Sequence, residues 1–293
     1  MIEINSILGC IKESVIEIHN ILKNTNPAFL CNQINNKNAS NDDVINVDLL
    51  TNKVLINNLK TCQEVRTIAS EENDSFIETE YKDAKYMVAF DPLDGSKNLE
   101  VNVTTGTIFC IYQYVNGSIQ TGRNIVCAGY SLYGTFTQLL ISSDNGTRLY
   151  NLFNDEFELT KNITQLPEKE PFYSINQGYA NIFLNKNINK YLEEQHKVAK
   201  SLRFVGSMVA DVHRAIIKGG NFMYPANENN KEGRLRLIYE VYPMSYIFEK
   251  LNGVAITDEN EKILDLEFPK DNVHQKCPVL LLNQREYNKY FCN

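Results

Sequence analysis

No stretch of this 293-residue sequence approaches the roughly 20 consecutive apolar residues that a membrane-spanning helix needs. Near its start, charged residues such as Glu3, Lys12 and Glu17 interrupt the apolar ones, which is unlike the apolar region of a secretory signal peptide. We therefore expect a cytoplasmic protein that makes no contact with a membrane.

The sequence also has no Cys-x-x-Cys pair, and its seven cysteines are an odd number. Both observations favour reduced thiols in a cytosolic protein over a disulfide framework or a zinc site. An excess of basic residues is missing too, because the net charge is −7, which argues against nucleic acid as the main partner. A phosphorylated small molecule is not excluded, since it needs only a local cluster of cations.

The composition, with 43% hydrophobic and 22% charged residues, is that of a globular protein with one large domain or two lobes. Apolar residues recur at helical spacing from Ile4 to Leu22, which predicts an amphipathic first helix. A polar stretch at 29–43 predicts a loop, 47–59 predicts a second helix, and short β-rich runs follow between 105 and 160. From about residue 174 helices and strands alternate, with one of the strands expected at 202–206, "LRFVG". These patterns predict a mixed α/β protein with a lobe boundary near 165–175, and we place the lobes at 1–168 and 169–293.

The stretch "KYMVAFDPLDGSKN" sets two aspartates, Asp91 and Asp94, at the end of an apolar run. The run predicts a short buried strand, and "DPLDG" predicts a turn at its end. Both carboxylates should then lie at the carboxyl end of the strand. Turn dipeptides of this kind are common, so the stretch by itself is consistent either with a plain turn or with a metal site.

Four acidic residues each lie at the end of an apolar run: Glu71, Asp91, Asp94 and Glu240. Carboxylates that converge in a buried place repel one another unless cations lie among them. Oxygen ligands without nearby cysteine or histidine favour Mg²⁺ or Mn²⁺, and a pair of such ions is a known arrangement for phosphoryl displacement. The alternative is four unrelated acids on the surface or in salt bridges.

Several longer motifs decide between these alternatives: "SEEND", "FDPLDGSKN", "VGSMVADVHR", "YPAN" and "GRLRLIYEVYPMSYIFEKLNGVAIT". Together they closely resemble class I fructose-1,6-bisphosphatase, within the superfamily of Mg²⁺-dependent, lithium-sensitive sugar phosphatases. The resemblance runs from about residue 5 to the end of the sequence, in the order of the family's motifs. It implies a layered αβαβα fold and Mg²⁺-dependent hydrolysis of the 1-phosphate of fructose 1,6-bisphosphate, giving fructose 6-phosphate and phosphate.

The same resemblance implies a set of metal ligands with two or more Mg²⁺ ions per site, Mn²⁺ being the alternative ion. Glu72 would position or deprotonate the attacking water, with Asp48 and Glu71 also in catalytic roles. Leu93 would bind metal through its backbone carbonyl, and Asp48 would reach the metals from a loop. The implied metal ligands are Glu71, Asp91, Leu93, Asp94, Glu240 and Asp48.

For the substrate, the resemblance implies that Ser96 and the amides around Gly95 face the 1-phosphate. Asn176, Tyr179, Tyr224 and Arg234 would hold the 6-phosphate, and Arg203 would be contributed by a neighbouring subunit of a homodimer or homotetramer. The full set of implied substrate contacts is Asp94, Gly95, Ser96, Lys97, Asn176, Tyr179, Arg203, Phe204, Gly206, Ser207, Met208, Tyr224, Arg234 and Arg236.

Four residues depart from the family's usual pattern. Lys53 replaces a second loop aspartate, Lys97 a serine, Phe204 a tyrosine and Arg234 a lysine. The change at Lys53 resembles sedoheptulose-1,7-bisphosphatase, so that enzyme or one with dual specificity is an alternative. A second alternative is a homologue that binds a bisphosphate but has lost turnover. The intact set of four acidic residues, together with Glu72, argues against it.

Regulation by AMP is a further point on which the residues differ from the family. Animal fructose-1,6-bisphosphatases that AMP inhibits use a Lys-Tyr pair before the metal-binding strand and an arginine after "GTIF-x-IY". Here the pair is present as Lys85 and Tyr86, but Gln113 replaces the arginine. The sequence therefore predicts weak or absent inhibition by AMP.

Overall fold

The computed structural model of the chain describes residues 2–37 and 43–292. Its helices are α1 (Ile2–Asn24), α2 (Pro27–Leu30), α3 (Asn46–Lys60), α4 (Lys186–Lys197), α5 (Met208–Lys218), α6 (Tyr242–Lys250) and α7 (Gln284–Tyr290). The first ten strands are β1 (Gln33–Lys37), β2 (Asp43–Ile45), β3 (Val65–Ser70), β4 (Ile77–Glu78), β5 (Tyr86–Asp94), β6 (Thr105–Gln113), β7 (Ile125–Tyr133), β8 (Thr137–Ser143), β9 (Gly146–Phe153) and β10 (Glu156–Ile163). The others are β11 (Phe172–Ser174), β12 (Ser201–Leu202), β13 (Asn221–Tyr224), β14 (Leu235–Arg236), β15 (Gly253–Ile256), β16 (Lys276–Cys277) and β17 (Val279–Asn283).

An eight-stranded sheet in the order β10-β9-β8-β7-β6-β5-β3-β4 forms the first half of the fold. All its pairs are antiparallel except β3 with β5. Side chains along a strand point alternately to the two faces. Val88 and Phe90 of β5 accordingly pack with the apolar stripe of α1 and with α3, whereas Met87 and Ala89 face the rest of the molecule.

A five-stranded sheet in the order β12-β11-β13-β17-β15 forms the second half. Val212 of α5 and Ile247 of α6 share one buried core with the inner faces of both sheets, so these helices lie between the sheets. Tyr191 of α4 and Tyr290 of α7 pack on the outer face of the second sheet. The layers are therefore helix, sheet, helix, sheet, helix, which confirms the predicted αβαβα fold.

Two local predictions differ from the structure. The stretch expected to be a loop contains α2 and the antiparallel pair of β1 and β2, while its residues 38–42 lie outside the described part. A strand was also predicted at 202–206, but only Ser201–Leu202 pairs as a strand. The Asp211 carboxylate accepts hydrogen bonds from the amides of Val205 and Gly206, so these amides are not free for strand pairing.

Membrane insertion by a helix has no support in residues 2–37 and 43–292. Each helix in those ranges is too short or too polar to cross a bilayer.

Candidate active site

The two aspartates of "DPLDG" converge because β5 contains a one-residue irregularity. Asp91 pairs with Ile108 of β6, and Asp94 pairs with Gly106, so three steps along β5 match two along β6. In a regular strand, residues three apart point to opposite faces. The extra residue, a β-bulge, turns both carboxylates to the same side. The prediction that the strand ends in a turn before Asp94 was wrong, but both aspartates do lie at its carboxyl end.

Asp94 is held at the beginning of α5. Its Oδ2 atom accepts hydrogen bonds from Ser207 Oγ at 2.7 Å and from the Val209 amide at 2.8 Å. Gly95 follows with φ of 74°, a left-handed conformation, and a Cβ there would lie 2.6 Å from the Cβ of Ser207. A glycine is therefore required where β5 meets this helix.

Glu240 reaches the same place from a π-helical turn at Leu237–Val241, directly before α6. Turns of this type are frequent at functional sites. Its carboxylate accepts the Arg236 amide at 2.5 Å and lies 3.1 Å from Arg236 Nε. The Arg236 guanidinium also contacts the carboxylate of Glu71, which follows β3. Arg236 thus joins two of the predicted metal ligands.

Carboxylate oxygens of Asp91, Asp94 and Glu240 lie within 4.8 Å of one another, and all three residues are buried. Burial is the main cause that raises the pKa of Asp91 well above its usual range, with further contributions from the charges of Asp94, Glu240 and Glu72. Burial also raises the pKa of Asp94, opposed by its hydrogen bonds to Val209 and Ser207. The cluster therefore carries a repulsion that a cation would relieve.

A cavity of about 290 Å³ opens over this cluster. It brings together every predicted site residue except Tyr179 and Arg203. The described residues that line it are Asp48, Glu71, Glu72, Asp91, Leu93, Asp94, Gly95, Ser96, Lys97, Asn98, Asn176, Phe204, Gly206, Ser207, Met208, Asp211, Phe222, Tyr224, Arg234, Leu235, Arg236 and Glu240. Asp48 lies in the first turn of α3, where its carboxylate accepts the Ile45 amide at 3.1 Å.

Neutral and positive groups also line the cavity. Burial raises the pKa of Tyr224, while a hydrogen bond from Arg234 and its positive charge act in the opposite direction. Tyr179 is near enough to influence Tyr224 electrostatically, although it does not line the cavity. Arg203 is exposed, and its Nη1 donates to the Leu202 carbonyl at 2.8 Å. The same cavity thus contains an acidic cluster and, in Arg234 and Tyr224, donors to an anion.

Sequence reasoning missed four residues that line the cavity: Asn98, Asp211, Phe222 and Leu235. The signal for Asp211 was a carboxylate inside an apolar helical run, "MVADVHRAII". Its side chain fixes the 205–206 amides, and burial raises its pKa to about 6 despite these bonds. Lys53, in contrast, is exposed on α3 and lies outside the cavity, so its departure from the family pattern does not alter the cavity wall.

Comparison with known proteins identifies the family. Residues 1–162 match the family model described as the fructose-1,6-bisphosphatase N-terminal domain, and residues 166–290 match that of the C-terminal domain. This chain belongs to the fructose-1,6-bisphosphatase family. The match covers most of its length and includes both the bulged strand and the π-helical turn.

Relatives within the fructose-1,6-bisphosphatase family are similar over nearly the whole chain. The class 1 enzyme of Sulfurihydrogenibium is 41% identical over 86% of this chain and 80% of its own. Fructose-1,6-bisphosphatase 1 of Bos taurus is 36% identical over 98% of this chain and 88% of its own. The crystal structure of Leishmania major fructose-1,6-bisphosphatase in its holo form superposes with a TM-score of 0.91 at 30% identity, covering 99% of this chain and 94% of that one.

A fructose-1,6-bisphosphatase is expected to need a divalent metal ion. The residues present here fit one, because three buried carboxylates offer oxygens within 4.8 Å of one another. Hard divalent cations prefer such oxygen ligands. The acidic side chains therefore form a candidate metal centre in the wall of the cavity.

Proposed function

We propose that this protein hydrolyses the 1-phosphate of fructose 1,6-bisphosphate and releases fructose 6-phosphate and phosphate, with Mg²⁺ as its cofactor. The observation that carries the proposal is one cavity lined both by the buried carboxylate cluster and by Arg234 with Tyr224. A bisphosphate substrate needs both groups. The division into lobes at 1–168 and 169–293 remains a prediction within this proposal.

For the metal site, the proposed ligands of two or more Mg²⁺ ions are the side chains of Glu71, Asp91, Asp94 and Glu240, together with Asp48 and the Leu93 carbonyl. A bound divalent cation neutralises charge on phosphate oxygens and lowers the pKa of water. Glu72 lines the cavity beside this cluster and is proposed to orient the attacking water and accept its proton.

The 1-phosphate is assigned to the cavity wall formed by Gly95, Ser96 and Lys97. Because Lys97 replaces a serine, it adds a positive charge on this wall. The 6-phosphate is assigned to Asn176, Tyr179, Tyr224 and Arg234, and the sugar to Met208 with the neighbouring Gly206 and Ser207. The planar guanidinium of Arg234 pairs well with phosphate oxygens. Phe204 lines the cavity without a hydroxyl, which leaves this pocket one donor fewer.

Phosphate release tests this function directly. We expect release from fructose 1,6-bisphosphate with Mg²⁺ and none after chelation of the metal. Sedoheptulose 1,7-bisphosphate is the comparison substrate, since the two sugars differ by one carbon and a pocket discriminates weakly on that basis. A protein that binds either bisphosphate but releases no phosphate with Mg²⁺ would be a binding homologue instead.

Arg203 leads to a prediction about assembly. It is exposed and outside its own chain's cavity, so we propose that it completes the 6-phosphate site of a neighbouring copy in a homodimer or homotetramer. Replacing it by alanine should raise KM by roughly tenfold or more and change kcat less, because it removes a charge-assisted contact of about 1.5 to 3 kcal/mol. Steady-state kinetics checks this. Sedimentation of the wild type at assay concentration as a fully active monomer would contradict it.

The structure adds to the prediction on AMP. Glu3 already pairs with both residues of the Lys-Tyr pair, accepting from Lys85 Nζ at 2.8 Å and from Tyr86 OH at 3.2 Å. A phosphate there would meet a carboxylate and would lack the arginine replaced by Gln113, a loss of roughly ten- to a hundredfold in affinity. We expect little inhibition when AMP is titrated at saturating Mg²⁺. Half-inhibition at low micromolar AMP would show that the nucleotide binds through other residues.

A further inference from the structure

The side chain of Asn52 links α3 to the turn that carries Glu71 and Glu72. Ser70 Oγ donates to Asn52 Oδ1 at 2.7 Å, and Asn52 Nδ2 donates to Asn73 Oδ1 at 3.0 Å. The Glu72 amide in turn donates to Ser70 Oγ at 3.3 Å. A single buried amide thus bridges the residue before the two glutamates and the residue after them.

His274, from a distant segment, contacts the same turn. Its Nε2 lies 3.0 Å from the Asn73 carbonyl oxygen, which can only accept, so these partners assign the proton to Nε2. The unprotonated Nδ1 then accepts from Tyr239 OH at 2.7 Å. Tyr239 also accepts from Arg236 Nε at 3.3 Å. Each group in this chain of hydrogen bonds therefore donates to the next, from Arg236 through Tyr239 and His274 to Asn73.

Arg236 connects this chain of hydrogen bonds to the acidic side chains, because its guanidinium contacts both Glu71 and Glu240. Asn52 and His274 do not themselves line the cavity. Neither side chain is therefore placed to touch the substrate. Both act on the same three-residue turn, one from α3 and one from the segment before β16.

We propose that Asn52 and His274 are positioning residues that fix Glu71 and Glu72 relative to Asp91 and Asp94. The inference rests on the proposed function, in which Glu71 binds metal and Glu72 handles the attacking water. The Glu71 amide donates to the Phe90 carbonyl at 3.2 Å, so the turn and β5 are already joined at one point. Asn52 and His274 then restrict the remaining motion of the turn relative to β5. A misplacement of about 1 Å in such a group can cost about a hundredfold in rate.

Asn52→Ala tests the α3 side, and Asn58→Ala is its matched control. Asn58 lies on the same helix and donates to Ser14 Oγ at 3.0 Å, away from the cavity. We expect Asn52→Ala to lower kcat by about tenfold or more with KM changed by less than about twofold, since the turn and not the sugar pocket is affected. Direct binding of Mn²⁺, followed by electron paramagnetic resonance, should weaken as well. Asn58→Ala should leave all three measurements near wild type.

His274 is tested with a graded pair of variants. His274→Gln retains an amide donor near the position of Nε2, whereas His274→Ala has none, so the glutamine variant should keep more turnover and tighter Mn²⁺ binding. His213→Ala is the control. His213 lies on α5, outside the cavity, and its Nδ1 forms a similar hydrogen bond with Tyr130 OH at 2.9 Å.

Asn52→Asp is the isosteric second variant for α3. It can accept from Ser70 but cannot donate to Asn73, and the same direction of change is expected.

All variants are assayed below their melting temperatures. The proposal is overturned if Asn52→Asp and His274→Ala melt at lower temperature but match Asn58→Ala and His213→Ala in kcat and Mn²⁺ binding. Such a result would mean a purely structural role. Failure of the proposed function is a separate outcome, because the wild type itself would then release no phosphate with Mg²⁺.

Discussion

Replacing Asp94 by asparagine is expected to lower kcat/KM at limiting Mg²⁺ by about a hundredfold or more. Mutation of residues that only support metal ligands costs roughly 10- to 100-fold in affinity or activity, and Asp94 is a member of the buried carboxylate cluster itself. The substitution removes the charge with little change in volume. The remaining carbonyl oxygen can still accept from Ser207 and the Val209 amide, so α5 should stay in place. Phosphate release over a range of Mg²⁺ concentrations measures the effect.

Asp258→Asn is the matched control for this substitution. Asp258 is a carboxyl group outside the cavity whose pKa burial raises to about 7, and it accepts the Ala226 amide at 2.7 Å. The same chemical change there should leave the Mg²⁺ dependence of turnover unaltered. If Asp94→Asn kept near wild-type turnover at limiting Mg²⁺, the metal assignment would be wrong.

The sequence predicted the parts of the fold that depend on local periodicity. The apolar stripe of the first helix is buried against the main sheet, as Ile11, Val15 and Ile18 show. Apolar runs that end in acids placed Asp91 and Asp94 at the end of one buried segment and Glu240 at the end of another, and these three carboxylates meet in one cluster. Local patterns suffice here because the burial of apolar residues determines both the type of secondary structure and the residue at which it ends.

Features that depend on pairing between distant segments could not be predicted in this way. The bulge that turns Asp94 toward Asp91 exists only in the register of β5 against β6. The bonds that hold the glutamate turn join residues 21 and 201 positions apart. Phe204 and Gly206 read as part of a strand, but a buried carboxylate downstream takes the amides of this segment. No pattern within a short window records such contacts.

Replacing Glu72 by glutamine should separate the handling of water from the binding of metal. Glu72 lines the cavity, half-buried, and is near enough to raise the pKa of Asp91, yet it lies outside the three-residue cluster. A general base contributes about 10²- to 10⁴-fold, so kcat should fall by that order. Since glutamine keeps the length and shape of the side chain, the KM for fructose 1,6-bisphosphate and the affinity for Mn²⁺ should change little. Together, these effects distinguish Glu72 from Asp94.

Glu78→Gln provides the comparison for that measurement. Glu78 lies on β4, outside the cavity, and accepts from Thr67 Oγ1 at 3.1 Å, so the same carboxyl-to-amide change there should preserve turnover. Single-turnover phosphate release at saturating Mg²⁺ isolates the chemical step from product release. A Glu72→Gln variant that lost Mn²⁺ binding in proportion to its activity would assign this residue to the metal ligands. The proton acceptor would then have to be sought among the other carboxylates of the cavity, beginning with Asp48 in the first turn of α3.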